Sequence, residues 1–295
     1  MLKLKKSLSV FLQLLLTGVI YAQLLTETVS AQPGVFQPGD YKDGVYEKEN
    51  TPNRRYIPYT HLREGDVNWE KRVWRVVDMR EKINQVLYYP TTPVVSRISL
   101  MQLITKYVLS GQIIAFKDEE FLIPVEKAEI RGKMVIVGDS VEQELFLEDG
   151  SSYFTKVAGA VDSTWLYQNF AELHIKEDWF FDKQKSVLEV RILSLGFGAM
   201  LKGKEDLGAV IQFYVYFPAC RPYFAKHEVF NPKNDSERRT FEDVFWKRQF
   251  ASSIKKETNV YDRDIEMYSK GIDALLESDR IKGDIFRFEH DLWQF

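Results

Sequence analysis

The sequence predicts an α+β fold in which helices at the N- and C-terminal parts surround a central, mainly antiparallel β region. Near both ends of the chain, apolar residues recur at three- and four-residue steps, as they do on one face of an amphipathic helix. Between these parts lie short runs rich in β-branched residues, separated by charged or glycine-containing turns. The 295 residues, of which 45% are hydrophobic and 14% aromatic, are enough to bury a sizeable core.

The first 22 residues have the layout of a secretory signal peptide. A lysine-rich start is followed by an apolar run over residues 8–21, which is the order found in exported proteins. The run is shorter than the about 20 residues that a membrane-spanning helix needs. We predict cleavage after Ala22, with Ala31 as the alternative position.

Charge and cysteine content narrow the function classes further. The chain has 40 Lys and Arg against 43 Asp and Glu, a formal net charge of −3, and removal of the leader takes away three lysines and no acid. Nucleic acid is therefore not an expected partner. The single cysteine, Cys220, allows no internal disulfide and lies too far from the cleavage site to carry a lipid anchor. We expect a soluble exported protein whose association with a membrane is indirect.

Residues 23–65 are predicted to form an extended arm, because prolines and glycines at short intervals prevent a helix or a paired strand. Two interpretations remain open: a disordered leader, or a segment that becomes ordered when it docks on a neighbouring subunit. The folded domain would then cover residues 66–295, with a possible division into two subdomains near residues 218–235.

The first helix is predicted from Asp66 to Leu87. Its apolar residues stand at helical spacing: Trp69, Val73, Val76, Ile83 and Leu87. Trp74 and Val77 widen this stripe beyond what a single core contact requires, which indicates a second contact. A turn or extended connection from Tyr88 to Pro93 follows.

The middle of the chain is predicted to contain one more helix and several strands. Ser99 is the expected N-cap of a helix that ends at Gly111, which suits the left-handed C′ position. Residues 187–195 and 209–217 have the strongest strand pattern. Weaker predictions are strands at 112–116, 120–123 and 129–137 and a short helix at 140–147.

The C-terminal part is predicted to be helical again. Thr240 and Asp243 form a capping-box pattern for a helix that continues to Phe250. A last helical stretch is predicted from Asn259, with a break at Gly283.

Motifs for catalysis are weak. Residues 198–204 have the glycine and lysine spacing of a phosphate-binding loop, but Glu205 stands where the magnesium-binding Ser or Thr should be. None of the four histidines has a second histidine at metal-ligand spacing. The acidic run 118–120 fits a solvated loop, and the Glu-His-Asp run 289–291 fits a polar helix edge. No catalytic, cofactor-binding or metal-binding residue is therefore predicted, and the protein is expected not to be an enzyme.

Three long stretches carry a family resemblance. The first covers residues 69–84 and continues into Tyr88, Tyr89 and Pro90; the second combines residues 215–222 and 241–250; the third covers residues 259–293. They are rich in Trp and Tyr and span nearly all of the mature chain. In these stretches the chain resembles the GldN/PorN family of gliding motility proteins.

The resemblance implies a structural component of the type IX secretion and gliding machinery of Bacteroidota, located in the periplasm at the inner face of the outer membrane. It implies a ring built from copies of the chain together with an outer-membrane lipoprotein of the GldK/PorK type. It also implies contact with an inner-membrane-anchored protein of the GldM/PorM type. The family has no catalytic residues to carry over, so the resemblance leaves interface residues as the ones to look for.

Large aromatic and apolar residues are expected at such subunit contacts. The candidates are Trp74, Val77, Tyr88, Tyr89, Phe286, Phe288 and Trp293. A core position is the alternative for each of them, since large aromatics are often buried. Two other functions also remain open: a module that binds a glycan or peptide in a groove lined by Trp or Tyr, and a periplasmic hydrolase with converging acids.

Overall fold

The computed structural model describes residues 45, 49–94, 97–137, 141–146, 152–157, 161–201, 208–231, 233–234 and 236–292. The predicted signal peptide, most of the predicted arm, residues 202–205 of the loop motif and Trp293 lie outside these ranges. The described residues from 49 onward belong to one compact unit. The predicted domain limits, including a division near residues 218–235, stay predictions.

Antiparallel strands form the centre of the fold. In chain order they are β1 (Val67–Asp78), β2 (Ala115–Phe116), β3 (Ile136–Val137), β4 (Val141–Phe146), β5 (Ser152–Val157), β6 (Val161–Asp162), β7 (Phe170–Asp182), β8 (Val187–Met200), β9 (Ala209–Tyr216) and β10 (Ser253–Glu257). Six of them form an antiparallel sheet with the order β10-β1-β7-β8-β9-β2. The pairs β3 with β6 and β4 with β5 form two small separate sheets.

Helices lie between these strands and after the last of them. They are α1 (Gln85–Tyr88), α2 (Leu100–Ser110), α3 (Lys127–Met134), α4 (Trp165–Gln168), α5 (Phe217–Phe224), α6 (Phe241–Trp246) and α7 (Ile272–Asp291), with single 3-10 turns at Glu64–Asp66 and Ile265–Met267. The predicted α+β class is confirmed.

Two hydrophobic cores lie on the same face of the six-stranded sheet. Val77, Leu173 and Phe197 are neighbours across β1, β7 and β8, and they pack with α2, α5 and α6 in the larger core. Val73, four positions before Val77 in β1 and therefore on the same face, packs under α7 with Ile281 in the smaller core. Full burial of one such side chain contributes about 1.5–3 kcal/mol, so both cores hold helices on this face.

Residues 67–78 form strand β1, so the predicted N-terminal helix is wrong. The buried positions of β1 alternate, and Arg75 occupies one of them. The helical prediction placed Arg75 on a charged outer face and Val76 on the apolar stripe, whereas Arg75 points inward and pairs with Glu177 of β7. Because a charged residue occupies an inward position, the alternation of apolar and polar residues that is typical of a strand was not recognisable in the sequence. The helical part that remains is α1, at Gln85–Tyr88.

Several weaker predictions also fail. Of the predicted strand 129–137, residues 129–134 belong to helix α3 and only 136–137 form a strand, β3. Residues 141–146 form strand β4 instead of a helix, and residues 120–123 lie in a loop. Of the predicted strand 112–116, only 115–116 pair in the sheet as β2. Strands β7 and β10 were not predicted, since both mix charged residues with apolar ones and lack a clean alternation.

Predictions based on local capping signals and on β-branched runs are confirmed. Ser99 accepts a hydrogen bond from the backbone N–H of Gln102 at the start of α2, and Gly111 ends this helix with a φ of 82°. Thr240 and Asp243 form the predicted capping box of α6. Strands β8 and β9 match the two strongest strand predictions, and β8 extends to Met200.

The C-terminal helices differ from the prediction in their limits. Helix α6 ends at Trp246 and does not reach Phe250. The chain after Asn259 forms only a 3-10 turn before α7 begins. Helix α7 passes through Gly283 without a break, because it is held on both sides of the glycine by its packing on the sheet.

Candidate interaction surfaces

Trp74 and Val77 point to opposite faces of β1. Val77 is fully buried in the larger core. Trp74 is half-buried on the other face, where its Nε1 donates a hydrogen bond to Glu119 Oε2 at 2.8 Å and where Lys256 Nζ lies 4.8 Å from a ring centroid. The helix edge that the two residues were expected to share does not exist, while a role of either in subunit contacts stays a prediction.

Tyr88 and Tyr89 differ in exposure. Tyr88 packs against the larger core, and its hydroxyl donates a hydrogen bond to the carbonyl oxygen of Gln168. Tyr89 is 54% exposed and meets the ring of Tyr88 edge-on, with centroids 4.8 Å apart. Of the two rings, Tyr89 is therefore the more exposed, and a role of either in subunit contacts stays a prediction.

Phe286 and Phe288 lie on different sides of α7. Phe288 stacks on Trp69 of β1 with ring centroids 4.3 Å apart, so it helps to fix α7 on the sheet. Phe286 is 67% exposed. Trp293, the last predicted interface residue, lies outside the described residues.

Helix α7 and the chain before it carry an apolar side that the described residues leave uncovered. The inner side of α7, formed by Ser278, Ile281 and Ile285, is buried. Apart from Phe286, six large apolar residues elsewhere on this part of the chain are between 47% and 76% exposed: Tyr261, Met267, Tyr268, Ile272, Leu275 and Leu276. We call these six residues the outer apolar surface.

Side-chain contacts connect the parts of the outer apolar surface. The guanidinium of Arg263 lies 4.4 Å from the ring centroid of Tyr261 and 5.6 Å from that of Tyr268. The Tyr268 hydroxyl in turn contacts Glu277 of α7 at 3.3 Å. Leu275 and Leu276 fall within the helical stretch that the sequence predicts from Asn259. The missed signal was that one helix carries two apolar sides, of which a single sheet can cover only one.

A buried charged cluster lies between the two cores. The carboxylate of Glu177 is fully buried and accepts hydrogen bonds from Arg75 Nε, from both terminal nitrogens of Arg248 (2.8 and 3.1 Å) and from Trp179 Nε1 (2.9 Å). Burial alone would raise the pKa of Glu177, but Arg248 and Arg75 outweigh it, so its pKa lies below the ordinary value. Two guanidinium groups around one carboxylate leave this cluster with an excess positive charge.

Arg248 reaches Glu177 from a backbone conformation that normally favours glycine. The backbone N–H of Arg248 bonds to the Phe245 carbonyl and that of Gln249 to the Val244 carbonyl, which is the Schellman pattern at the end of a helix. Arg248 occupies the left-handed position of this pattern with a φ of 52°. A residue with a Cβ costs about 1–2 kcal/mol there. Its ion pair with Glu177 offsets this cost.

An open cleft lies over the charged cluster, between α7 and the sheet. Its volume is about 690 Å³. The lining residues are Arg75, Trp179, Arg248, Phe250, Ala251, Ser252, Asp279, Lys282, Gly283, Ile285, Phe286 and Glu289. The cleft therefore combines a cationic floor with aromatic and aliphatic walls, and among the predicted interface residues that the structure describes, Phe286 lines it. Arg75, Trp179 and Arg248 could not be found from the sequence, since only the fold brings them together.

Comparison with known families decides which group of proteins the chain belongs to. The family model of the gliding motility associated protein GldN matches residues 62–294. The chain belongs to the GldN family. The match covers β1 through α7, including the outer apolar surface and the cleft, and it confirms the resemblance found in the sequence. The comparison with curated proteins gave no match.

Residues 56–60 of this GldN-family chain pack on the rest of the compact unit that begins at residue 49. Arg221 is 1% exposed and donates hydrogen bonds from Nη2 to Glu242 Oε1 and to the carbonyl oxygen of Ile57, each at 2.6 Å. Its guanidinium also lies 4.1 Å from the ring centroid of Tyr59. Burial raises the pKa of Glu242 in spite of this ion pair. These contacts fix residues 56–60 to their own chain, while docking of the remaining arm on a neighbouring subunit stays a prediction.

Asp118, from the acidic run 118–120, and the single cysteine Cys220 both occupy structural positions in the fold. Asp118 accepts hydrogen bonds from the backbone N–H groups of Leu122 and Ile123 at 2.7 and 2.8 Å, which lower its pKa and fix the loop. Burial raises the pKa of the Cys220 thiol well above its usual range. Within the described ranges, no three His, Cys, Asp or Glu side chains converge as metal ligands. In that same part of the chain, no helix combines the length and apolar character needed to cross a bilayer.

Proposed function

We propose that this protein is a non-enzymatic structural subunit of the type IX secretion and gliding machinery, exported to the periplasm and located at the inner face of the outer membrane. Copies of the chain assemble into a ring with an outer-membrane lipoprotein of the GldK/PorK type. The ring contacts an inner-membrane-anchored protein of the GldM/PorM type. Membership of a family associated with gliding motility is the starting point of this proposal.

The outer apolar surface is the observation that supports an assembly function. Scattered apolar residues on a protein surface are normal, whereas a contiguous patch marks a contact with another molecule. Here Ile272, Leu275 and Leu276 lie on one side of α7 at spacings of three and four residues, so they form a continuous stripe. Tyr261 and Tyr268 add aromatic area, which is enriched at protein interfaces.

A second exposed group lies at the opposite edge of the sheet. Ile114, Leu122 and Ile123 are at least 56% exposed and flank β2, whereas α7 packs against β10 at the other edge. A ring requires a head-to-tail contact between two different surfaces of one subunit. Two apolar surfaces at opposite edges of one sheet meet this requirement.

The proposal is tested by gentle purification of the tagged protein from cell envelopes. We expect a lipoprotein of the GldK/PorK type to copurify in an assembly much larger than one chain. The tag on an unrelated exported protein serves as control. Recovery of the protein alone, or turnover of a small compound by the purified protein, would contradict the proposal.

A peptide- or glycan-binding module is the second candidate function. The cleft beneath α7 favours it, because Trp179, Phe250 and Phe286 line an open groove of the volume that binding sites have. In that case the purified protein would bind a ligand as a monomer, without a lipoprotein.

A further inference from the structure

We propose that the cleft between α7 and the sheet is a docking site for an extended segment of a partner protein that carries a single carboxylate among apolar side chains. The carboxylate contacts Arg75 at the floor, and the apolar side chains contact Trp179, Phe250 and Phe286. The proposal concerns a site distinct from the outer apolar surface and does not rest on the proposed function.

The first argument is an incompletely bonded cation. Arg75 lines the cleft and is 5% exposed. Its Nε donates to Glu177, while within the described ranges its two terminal nitrogens donate no hydrogen bond. Neither terminal nitrogen is fully buried without a partner, so both keep contact with the solvent in the cleft. The guanidinium therefore presents its terminal nitrogens to whatever occupies the cleft.

The second argument is charge. Glu177 is already saturated, since Arg248 binds both of its oxygens and Arg75 and Trp179 add to one of them. One carboxylate and two guanidinium groups together carry one excess positive charge, which a second carboxylate would neutralise. A carboxylate fits the paired N–H groups of a guanidinium in a fork geometry that a neutral amide does not match.

The third argument is the shape and lining of the cleft. It follows α7 from Asp279 to Glu289, about 15 Å along the helix axis at about 1.5 Å per residue, and it is open to solvent. Such a groove fits an extended chain of a few residues. Because Asp279 and Glu289 also line it, an occupant with several acids would be repelled, so the preferred segment has one acid with apolar neighbours.

The test uses two synthetic peptides, acetyl-Leu-Phe-Asp-Leu-amide and its Asn counterpart, titrated into the purified protein by calorimetry. The Asp peptide is expected to bind about tenfold to a hundredfold more tightly, because a charge-assisted hydrogen bond replaces a neutral one. Equal binding of the two peptides, or no binding of either, would overturn the proposal. Binding of free phenylacetate as tight as that of the Asp peptide would overturn it in favour of a small-molecule site.

Variants locate the binding. Phe286→Ala removes an exposed side chain from the wall of the cleft. The variant is expected to bind the Asp peptide more weakly without unfolding. Arg75→Met is expected to remove the preference for Asp over Asn. Arg72→Met is the matched control, because Arg72 lies on the other face of β1 and pairs with Asp178. Unchanged binding by both cleft variants would overturn the proposal, whatever the size of the complex that the protein forms.

Discussion

At the scale of single residues, Glu177 joins the two cores of the molecule. It is a fully buried carboxylate in β7, bonded to Arg75 of β1 and to Arg248 after α6. Taking such charges out of water costs several kcal/mol per ion, which only close partners offset. Burial lowers the pKa of Arg75 more than Glu177 raises it, but the ordinary pKa of a guanidinium lies so far above neutrality that the group stays charged at neutral pH.

Glu177→Gln is expected to destabilise the protein by about 3–5 kcal/mol, because the substitution leaves two buried guanidinium groups without their carboxylate. The free energy of unfolding in urea measures the loss. Asp178→Asn is the control: its pair with Arg72 is partly exposed and contributes about 1 kcal/mol or less. Equal losses for the two variants would contradict the assigned role of Glu177.

The lowered pKa of Glu177 predicts that the stability of the protein depends on pH. Since the folded-state pKa of Glu177 is lowered, its stabilising contribution is fully present above the unfolded-state pKa of about 4.3. The contribution is lost as the pH falls through the folded-state pKa. The difference in unfolding free energy between the wild type and Glu177→Gln should therefore be constant from neutral pH to about 4.3 and shrink below it. A difference that shrinks above pH 5 would contradict the prediction.

At the scale of elements, α7 determines both candidate surfaces, because residues 279–289 form a wall of the cleft and the first turns of the helix carry Ile272, Leu275 and Leu276 of the outer apolar surface. Its continuity through Gly283 is what keeps Phe286 in register with Leu275 and Leu276. A Cβ at Gly283 would meet nothing within 4 Å. The glycine is therefore not required by packing.

Gly283→Ala is expected to stabilise the protein by about 0.5–1 kcal/mol, since alanine is the better residue inside a helix. Gly271→Ala, just before α7, serves as the opposite case. Gly271 has a φ of 63°, so alanine there should destabilise by about 1 kcal/mol or more. Thermal unfolding of the two variants measures both effects, and a loss of stability in Gly283→Ala would argue for a broken helix.

Elements with local signals could be predicted from the sequence, and elements with long-range pairing could not. Helices α2 and α6 have their capping residues within the segment itself, at Ser99 and Thr240. Strand β1 was predicted as a helix because Arg75 faces inward and interrupts the apolar alternation. The inward position of this charged side chain is stabilised by Glu177, about a hundred residues later in the chain. The cleft could not be predicted either, because its lining residues come from segments far apart in the chain: β1, β7, the segment after α6, and α7.

At the scale of the whole molecule, the two-layer arrangement leaves apolar surface at both edges of the sheet. The cores hold α2, α5, α6 and α7 on one face, so the outer apolar surface and the group at Ile114, Leu122 and Ile123 lie beyond what the described part of the chain covers. Contacts at both edges would allow each subunit to bind two neighbours.

The most direct test is the mass of the complex formed by the purified protein and its copurifying lipoprotein. If the outer apolar surface is a subunit contact, the wild type forms a large assembly. The double variant Leu275→Asp, Leu276→Asp then stays folded but does not form that assembly. The control Lys183→Asp, in the exposed turn between β7 and β8, changes the net charge by the same amount and should assemble like the wild type. An assembly of unchanged mass in the folded double variant would contradict the account.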